Sequence, residues 1–359
     1  MMSDCFLLSR VLLRFDEPAE EIKGNLSAAA TSPDGYLWLG SDEGTAIERL
    51  SPLEPFVFGT HQPFNLGDFI SLFNQEDEID IEGMDYADNY LWFTGSHSTK
   101  RKKTKGKKTE RDLERLLTIA TEPNRYVLGR VPAVGGVLHR ICVHPKQPDI
   151  ELTAAQLQTT GETNILLESL RADPHLGPFL TFPLPSKENG FDIEGLAVHA
   201  NRLFLGFRGP VLRGWAIIVE IEVEEQEQGV LTLKQFDDIR RSYRKHFVDL
   251  DGLGIRELIL NGDDLIILAG PTMTLAGLTR IYRLKNALSF SGDTVSSQQQ
   301  DNLEVIGDLP WRGTLDNAEG MAHFPCLNQP DALLVVYDAP DLRRIPAPNQ
   351  VFADVFMLP

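Results

Sequence analysis

The amino-acid sequence predicts an all-β chain, a β-propeller built from four-stranded antiparallel blades. Three observations predict it: a phrase that recurs along the chain, turn chemistry at a fixed place inside each copy, and short β-rich apolar runs after each turn. The phrase is plainest in DIEGMDYADNYLWFTGSH (80–97) and FDIEGLAVHANRLFLGFRGP (191–210). Related copies are NLSAAATSPDGYLWLGSDEG (25–44), GIRELILNGDDLIILAGPT (254–272) and NAEGMAHFPCLNQPDALLVVYDAP (317–340). Repeats of this length mark stacked supersecondary units, each unable to bury its apolar face alone.

Each copy contributes a first strand, a polar turn and a second strand. SPDG, ADN, HAN and NGDD are turn sequences that reverse a strand into a hairpin. LWLG, LWFTG, LFLGF, LIILAG and LLVVYD are β-rich and too short for helices. Glu82 to Leu91 is nine residues, as are Glu194 to Leu203, Ala28 to Leu37 and Arg256 to Leu265. Third strands are expected in 45–50, 125–131, 215–223 and 279–284, and fourth strands in 230–236 and 303–309. Four antiparallel strands per copy define propeller blades.

The copies start near residues 28, 82, 194, 256 and 319. The wide gap between the second and third holds ERDLERLLTIA (110–120) and ETNILLESLRA (162–172), whose spacing is helical. The expectation is one domain over 1–359 with five blades, six being the alternative. Insertions fall at about 98–123 and 144–180. The last copy shows three strands, and CFLLSRVLLRF (5–15) is expected to supply the fourth, removing exposed sheet edges.

Composition narrows the function classes. Hydrophobic residues at 42% and charged residues at 24% fit an ordinary folded chain. A net charge of -18 argues against nucleic-acid binding by the whole surface and favours cation binding or solubility. No apolar run approaches a membrane span. Asp4, Arg10 and Arg14 interrupt the apolar start, unlike a secretory leader. Cys5, Cys142 and Cys326 form neither a disulfide framework nor a metal spacing, so a cytoplasmic location is expected.

The strand order gathers polar residues. In a blade, the start of the first strand and the end of the second lie on one face of the disc. Glu82, Glu194, Arg256 and Glu319 open first strands. Asp42, Glu43, His97, Arg208 and Asp338 follow second strands. SKENG (186–190) leads into the Glu194 phrase and brings Lys187 and Asn189. All are expected at one mouth of the channel, as ligand-binding residues. Arg256 and Glu257 must point opposite ways, and Arg256 is assigned inward, giving a ring of Glu, Glu, Glu, Arg and Ala28. Glu82, Glu194 and Glu319 are the candidate metal ligands, with Ca2+ as the cation that oxygen donors suit. The glycine after each glutamate is expected to let neighbouring backbones approach. No residue is assigned a catalytic role, since G-x-S-x-G, H-E-x-x-H and Walker A motifs are absent.

STKRKKTKGKKTER (98–111) holds eight basic residues and one acid. Such a run is most often a solvated loop. Its functional reading is contact with an anionic partner, a phosphate, a nucleic acid or a lipid surface.

SDEG (41–44), DIEGM (80–84), NRYVLGR (124–130), SKENGFDIEGLAV (186–198), GIREL (254–258), AGP (269–271) and NAEGM (317–321) together resemble an uncharacterised bacterial domain-of-unknown-function family. More distantly, the EGM and EGL blades resemble esterase-like phytase and SdiA-regulated propellers. The resemblance implies the fold and brings no established activity. Three functional readings follow. The first is a propeller binding a small polar ligand or divalent cation at one mouth. The second is a metal-assisted hydrolase of phosphoesterase or lactonase type, with Lys187, Arg208 and Arg256 holding an anionic group and His97 or a glutamate as base. The third is a protein-interaction scaffold without catalysis.

Overall fold

The computed structural model describes residues 5–358 except 17–21, 76, 183, 237–240, 276 and 311–314. The ends of the expected domain, 1–4 and 359, lie outside the described residues.

The described strands group into five units that follow the repeated phrase. Their innermost strands are Leu26–Thr31, Ile81–Ala87, Asp192–His199, Gly254–Asn261 and Asn317–His323. Each pairs antiparallel with the strand after the polar turn: Leu37–Ser41, Tyr90–Gly95, Arg202–Gly209, Asp264–Gly270 and Leu333–Asp338. The innermost strands pack against one another in a circuit, first to second to third to fourth to fifth and back to the first. The chain is therefore a β-propeller.

Apolar residues fill the spaces between units in five clusters, one for each neighbouring pair. Period-two alternation produces this. On Arg202–Gly209, Leu203 and Leu205 enter the layer toward the second unit, while Phe204 enters the layer toward the fourth. A strand apolar on both faces is what a two-sided layer needs, which is why the second strands read as unbroken apolar runs.

The fifth unit is completed from the other end of the sequence. Leu7–Arg14 pairs antiparallel with Gln350–Phe356, Arg10 opposite Asp354 and Leu12 opposite Phe352. In the third unit the fourth strand is Tyr243–Asp249, not the expected 230–236. The third strand, Trp215–Glu227, is long enough to be shared. Its first half pairs with 243–249, and its far end pairs with Val230–Leu233. Val230–Leu233 then meets Ala155–Leu157 of the second unit in parallel. The stretch 144–180 thus contains that unit's outer strand as well as the helix Ile165–Leu170.

Every first-to-second strand pair is irregular near the start of its first strand, and the third also shifts between Asp192 and Ile193. The register shifts after Leu26, Ile81, Ile193, Ile255 and Ala318. A β-bulge there inserts a residue and re-aims its side chain. The inserted residues are Ser27, Glu82, Glu194 and Arg256, with Glu319 and Gly320 in the fifth unit. Ala28 is therefore not the ring member expected from the nine-residue count. The first turn spans Ser32–Tyr36 and is one residue longer relative to the bulge, so counting nine back from Leu37 stops one residue short of Ser27.

The glycine after the glutamate has the expected purpose. A Cβ at Gly83 would sit 3.0 Å from Glu194 O and 2.9 Å from Leu196 Cβ. At Gly195 it would sit 3.0 Å from Leu258 N, and at Gly320 2.8 Å from Ala28 C. Each glycine lies against the innermost strand of the next unit. Gly320→Ala should therefore destabilise by about 1–3 kcal/mol, the usual range for overpacking. Gly24→Ala, where nothing lies within 4 Å, should be nearly neutral. Chemical denaturation of the two variants checks this.

Candidate functional site

Because the bulges fall at one level, the inserted side chains converge where the innermost strands begin and the second strands end. Ile81 pairs with Gly95, Asp192 with Gly209, Gly254 with Gly270 and Asn317 with Asp338. The mouth of the channel is built from these ends.

Ion pairs run across it. Arg208 reaches Glu194 Oε1 at 2.6 Å and Asp192 Oδ2 at 3.6 Å. Arg256 reaches Glu319 Oε1 at 2.6 Å. It also lies 3.1 Å from Glu194 Oε2, close enough for attraction but not aligned as a hydrogen bond. Glu194 thus stands between two guanidiniums, and Arg256 between two carboxylates. Both arginines also donate to the loop above them, Arg208 Nε to Thr272 O at 3.2 Å and Arg256 to Pro271 O at 3.1 Å. Arg208, Arg256 and Glu194 are all buried. Burial works against the Arg208 charge, but Glu194 and Asp192 outweigh it and raise the guanidinium's pKa.

Asp80 and Arg125 form a second buried pair at the mouth, with the Arg125 Nε donating to Glu122 at 2.9 Å. Ser96 and Ser98 hydroxyls lie 3.4 Å and 3.3 Å from the same guanidinium. Arg125 was not singled out from the sequence. Its signal was its place in NRYVLGR, directly before the third strand of its unit.

Two carboxylates stand apart. Asp42 and Glu82 make no side-chain hydrogen bond or ion pair among the described residues. Burial pushes the Asp42 carboxyl up to about 7, with Asp80, Asp338 and Glu43 adding repulsion and Lys187 opposing it. Glu82 lies in the channel, partly reached by solvent and enclosed by protein. Burial, then repulsion from Asp80, Glu194 and Glu319, holds its carboxyl well above the usual range. Asp338 has one long contact, 3.4 Å from Asn317 Nδ2.

Other expected site residues are placed as follows. Lys187 is exposed and, with Arg208, Arg256, Glu319 and Asp338, lines a cavity of ≈ 170 Å³ at the mouth. Glu43 is exposed at the rim. Asn189 holds a backbone of φ 62 and clasps Val211, accepting from its N–H at 2.9 Å and donating to its carbonyl at 3.4 Å. It fixes the loop that carries Lys187. Glu257 points away from Arg256 as expected, accepting from the Leu196 and Leu258 N–H groups at 3.0 and 2.9 Å.

His97 is not brought to the mouth. It is buried, its Nδ1–H donating to Gly95 O at 2.8 Å while Nε2 accepts from Asn164 Nδ2 at 2.8 Å. Burial lowers its pKa to about 4, so the ring is neutral. The reason is the second unit's insertion. Asn164 caps the helix Ile165–Leu170 and folds over the histidine. The metal set also differs from expectation. Glu194 and Glu319 are occupied by arginines, and among the described residues no three His, Cys, Asp or Glu side chains are grouped to hold a metal.

This fold and mouth define a class, a β-propeller whose channel opens on a network of carboxylates and arginines. The chain belongs to the family described as protein of unknown function (DUF3616), which it matches over residues 25–354. A comparison with curated proteins finds no match. Among solved structures it is similar to selenomethionine-substituted virginiamycin B lyase from Staphylococcus aureus, at 9% identity and TM-score 0.39, over 98% of this chain and 99% of that one. It is also similar to the PQQ-bound aldose sugar dehydrogenase from Streptomyces coelicolor, at 11% identity and TM-score 0.33, over 98% and 99% of the two chains. At these values the likeness assigns no chemistry. No helix among the described residues is long and apolar enough to cross a membrane.

Two tests follow from the electrostatics. Arg256→Met leaves Glu319 and one side of Glu194 without their cation and should cost about 3–5 kcal/mol. Adding Glu319→Gln should recover part of that loss in urea unfolding. Asp42 ionises near 3.8 when unfolded and near 7 in the fold. Its contribution to stability is complete below the lower value and is lost as pH rises through the upper one. Asp42→Asn should melt close to the parent at pH 4 and several °C above it at pH 8.

Proposed function

We propose that the channel mouth binds a small polar ligand through a cationic group, an organic ammonium or a hard divalent cation. One observation carries this reading: Asp42 and Glu82 are enclosed carboxylates with no ion pair among the described residues, while Asp80, Glu194 and Glu319 beside them each have an arginine. Enclosed charge without a partner is costly, and a bound cation relieves it. The mouth cavity lined by Lys187, Arg208, Arg256, Glu319 and Asp338 gives room for the rest of such a molecule, with Lys187 to meet an anionic group on it. The arginines serve a different purpose, holding the network in shape.

An organic ammonium fits the mouth better than a bare metal ion. Ca2+ takes six to eight oxygens, and two of the three expected glutamates already face guanidiniums. A metal would need ligand oxygens or water to complete its shell. Hydrolysis of the phosphoesterase or lactonase type would take its base from a mouth carboxylate such as Asp42 or Glu319, both raised toward neutral pH by burial, because His97 is turned into the insertion.

Thermal melting with added Ca2+, and separately with 1,4-diaminobutane, tests the reading. A ligand that binds the folded form raises the melting temperature by mass action. The diamine should raise it and Ca2+ should raise it less, with Glu82→Gln weakening both shifts. No response to either cation would remove the cation-binding reading.

A further inference from the structure

The insertion that follows the second strand of the second unit forms an arm outside the blades. Its base is the two-stranded pairing of Lys100–Arg101 with Ile119–Ala120, and its tip carries the helix Thr109–Leu117. Nothing on that helix is buried. Leu113, Leu116 and Leu117 fall at the spacing of one helical face, and they are 58%, 45% and 83% exposed. Ile119 is exposed beside them. Arg111 and Arg115 occupy the opposite face. Residues 98–120 hold nine Lys and Arg against three acids, in a chain whose net charge is -18. Lys102, Lys103, Lys105, Lys107, Lys108 and Arg111 make no ion pair among the described residues.

The arm is fixed to the mouth face. Arg101 pairs with Glu188 at 2.5 Å, and the Ser186 N–H donates to Thr99 O at 2.9 Å. Glu188 in turn bridges to Met273. The loops so joined carry their own exposed apolar side chains, Phe182 (75%), Leu184, Met273 and Leu275 (64%). Uncommitted cations and large apolar side chains therefore occur together on linked loops around one end of the channel.

We propose that this arm docks the mouth face onto an anionic lipid surface, the leucines entering the headgroup boundary and the lysines meeting the headgroups. Two features select this occupant. The lysines and the unburied leucine face form a short amphipathic element of the kind that lies in a membrane interface. A nucleic acid would satisfy the lysines and leave the leucines in water. The acidic body does not oppose docking, because at physiological salt charge is felt over about 8 Å and no residue of the arm's helix is buried against the body. Docking in this orientation would open the channel toward the membrane surface.

The experiment is co-sedimentation of the full chain with vesicles of phosphatidylcholine alone and of phosphatidylcholine mixed equally with phosphatidylglycerol. Binding is expected to the mixed vesicles only, and to weaken with added salt. Lys102→Glu with Lys105→Glu should weaken it at least about tenfold. Leu113→Ser with Leu117→Ser should weaken it comparably while leaving the melting temperature unchanged, since both side chains lie outside the core. Absence of vesicle binding overturns the proposal. So does vesicle binding indifferent to the leucine changes, and so does binding of duplex DNA or self-association that the lysine changes abolish while vesicles are ignored.

Discussion

The innermost strands must lie close around one axis without sharing a hydrogen-bonded ladder, and most of the structure answers that constraint. Backbone groups facing a neighbour across such a gap cannot be left unpaired. Each of the five gaps is closed by a side chain that bonds to backbone. Ser27 Oγ donates to Ile81 O, Asp85 accepts from Val198 N, and Glu257 accepts from Leu196 N. His323 bonds Leu260 O at 2.6 Å, and Thr31 donates to His323 O at 2.8 Å. The glycines permit the approach and these ties hold it. The apolar layers farther out supply the bulk of the burial, but they can form only if the inner strands already sit at this distance.

The mouth follows from the same constraint. A bulge placed just before each close approach turns one extra side chain toward the axis, and repetition does the rest. Repeating glutamate alone would gather like charges in an enclosed space, which strongly disfavours ionisation. The substitution of arginine at 256 in the fourth copy, together with Arg208 at the end of the third copy and Arg125 from outside the repeat, balances most of that charge. What remains unbalanced is local, at Asp42 and Glu82. The chemical character of the site is thus set by where the repeat is broken as much as by the repeat itself.

Much of this was legible in the sequence, and the failures have physical causes. Turn residues and apolar runs report local geometry, so the strands of each hairpin, the phase of Glu82, Glu194 and Arg256, and the need for glycine could be read directly. Ala28 was misplaced because a spacing count assumes equal turns, and the first turn is longer. The outer strand of the third unit was assigned to 230–236 because both that segment and 243–249 suit a strand, and only the length of Trp215–Glu227 decides which half each one meets. His97 follows its strand as expected, but its side-chain direction depends on Asn164, 67 positions later. Arg125 lies outside the repeat and its partner Asp80 within it, so only its place in NRYVLGR marked it. Contacts between segments distant in sequence leave no local pattern.

The pairing of Leu7–Arg14 with Gln350–Phe356 makes the circuit of units depend on both ends of the chain at once. Until the last strand exists, the fifth unit has an open edge and the first strand has no antiparallel partner. Such contacts, among the most distant in sequence between the described residues, slow folding because the intervening chain must be ordered before they reward it. During synthesis the early units would emerge first, with the opening strand waiting beside them. A ring closed in this way resists unravelling from either end, because loosening one terminal strand also exposes the other. The same clasp that completes the architecture therefore makes the final step of assembly cooperative across the whole molecule.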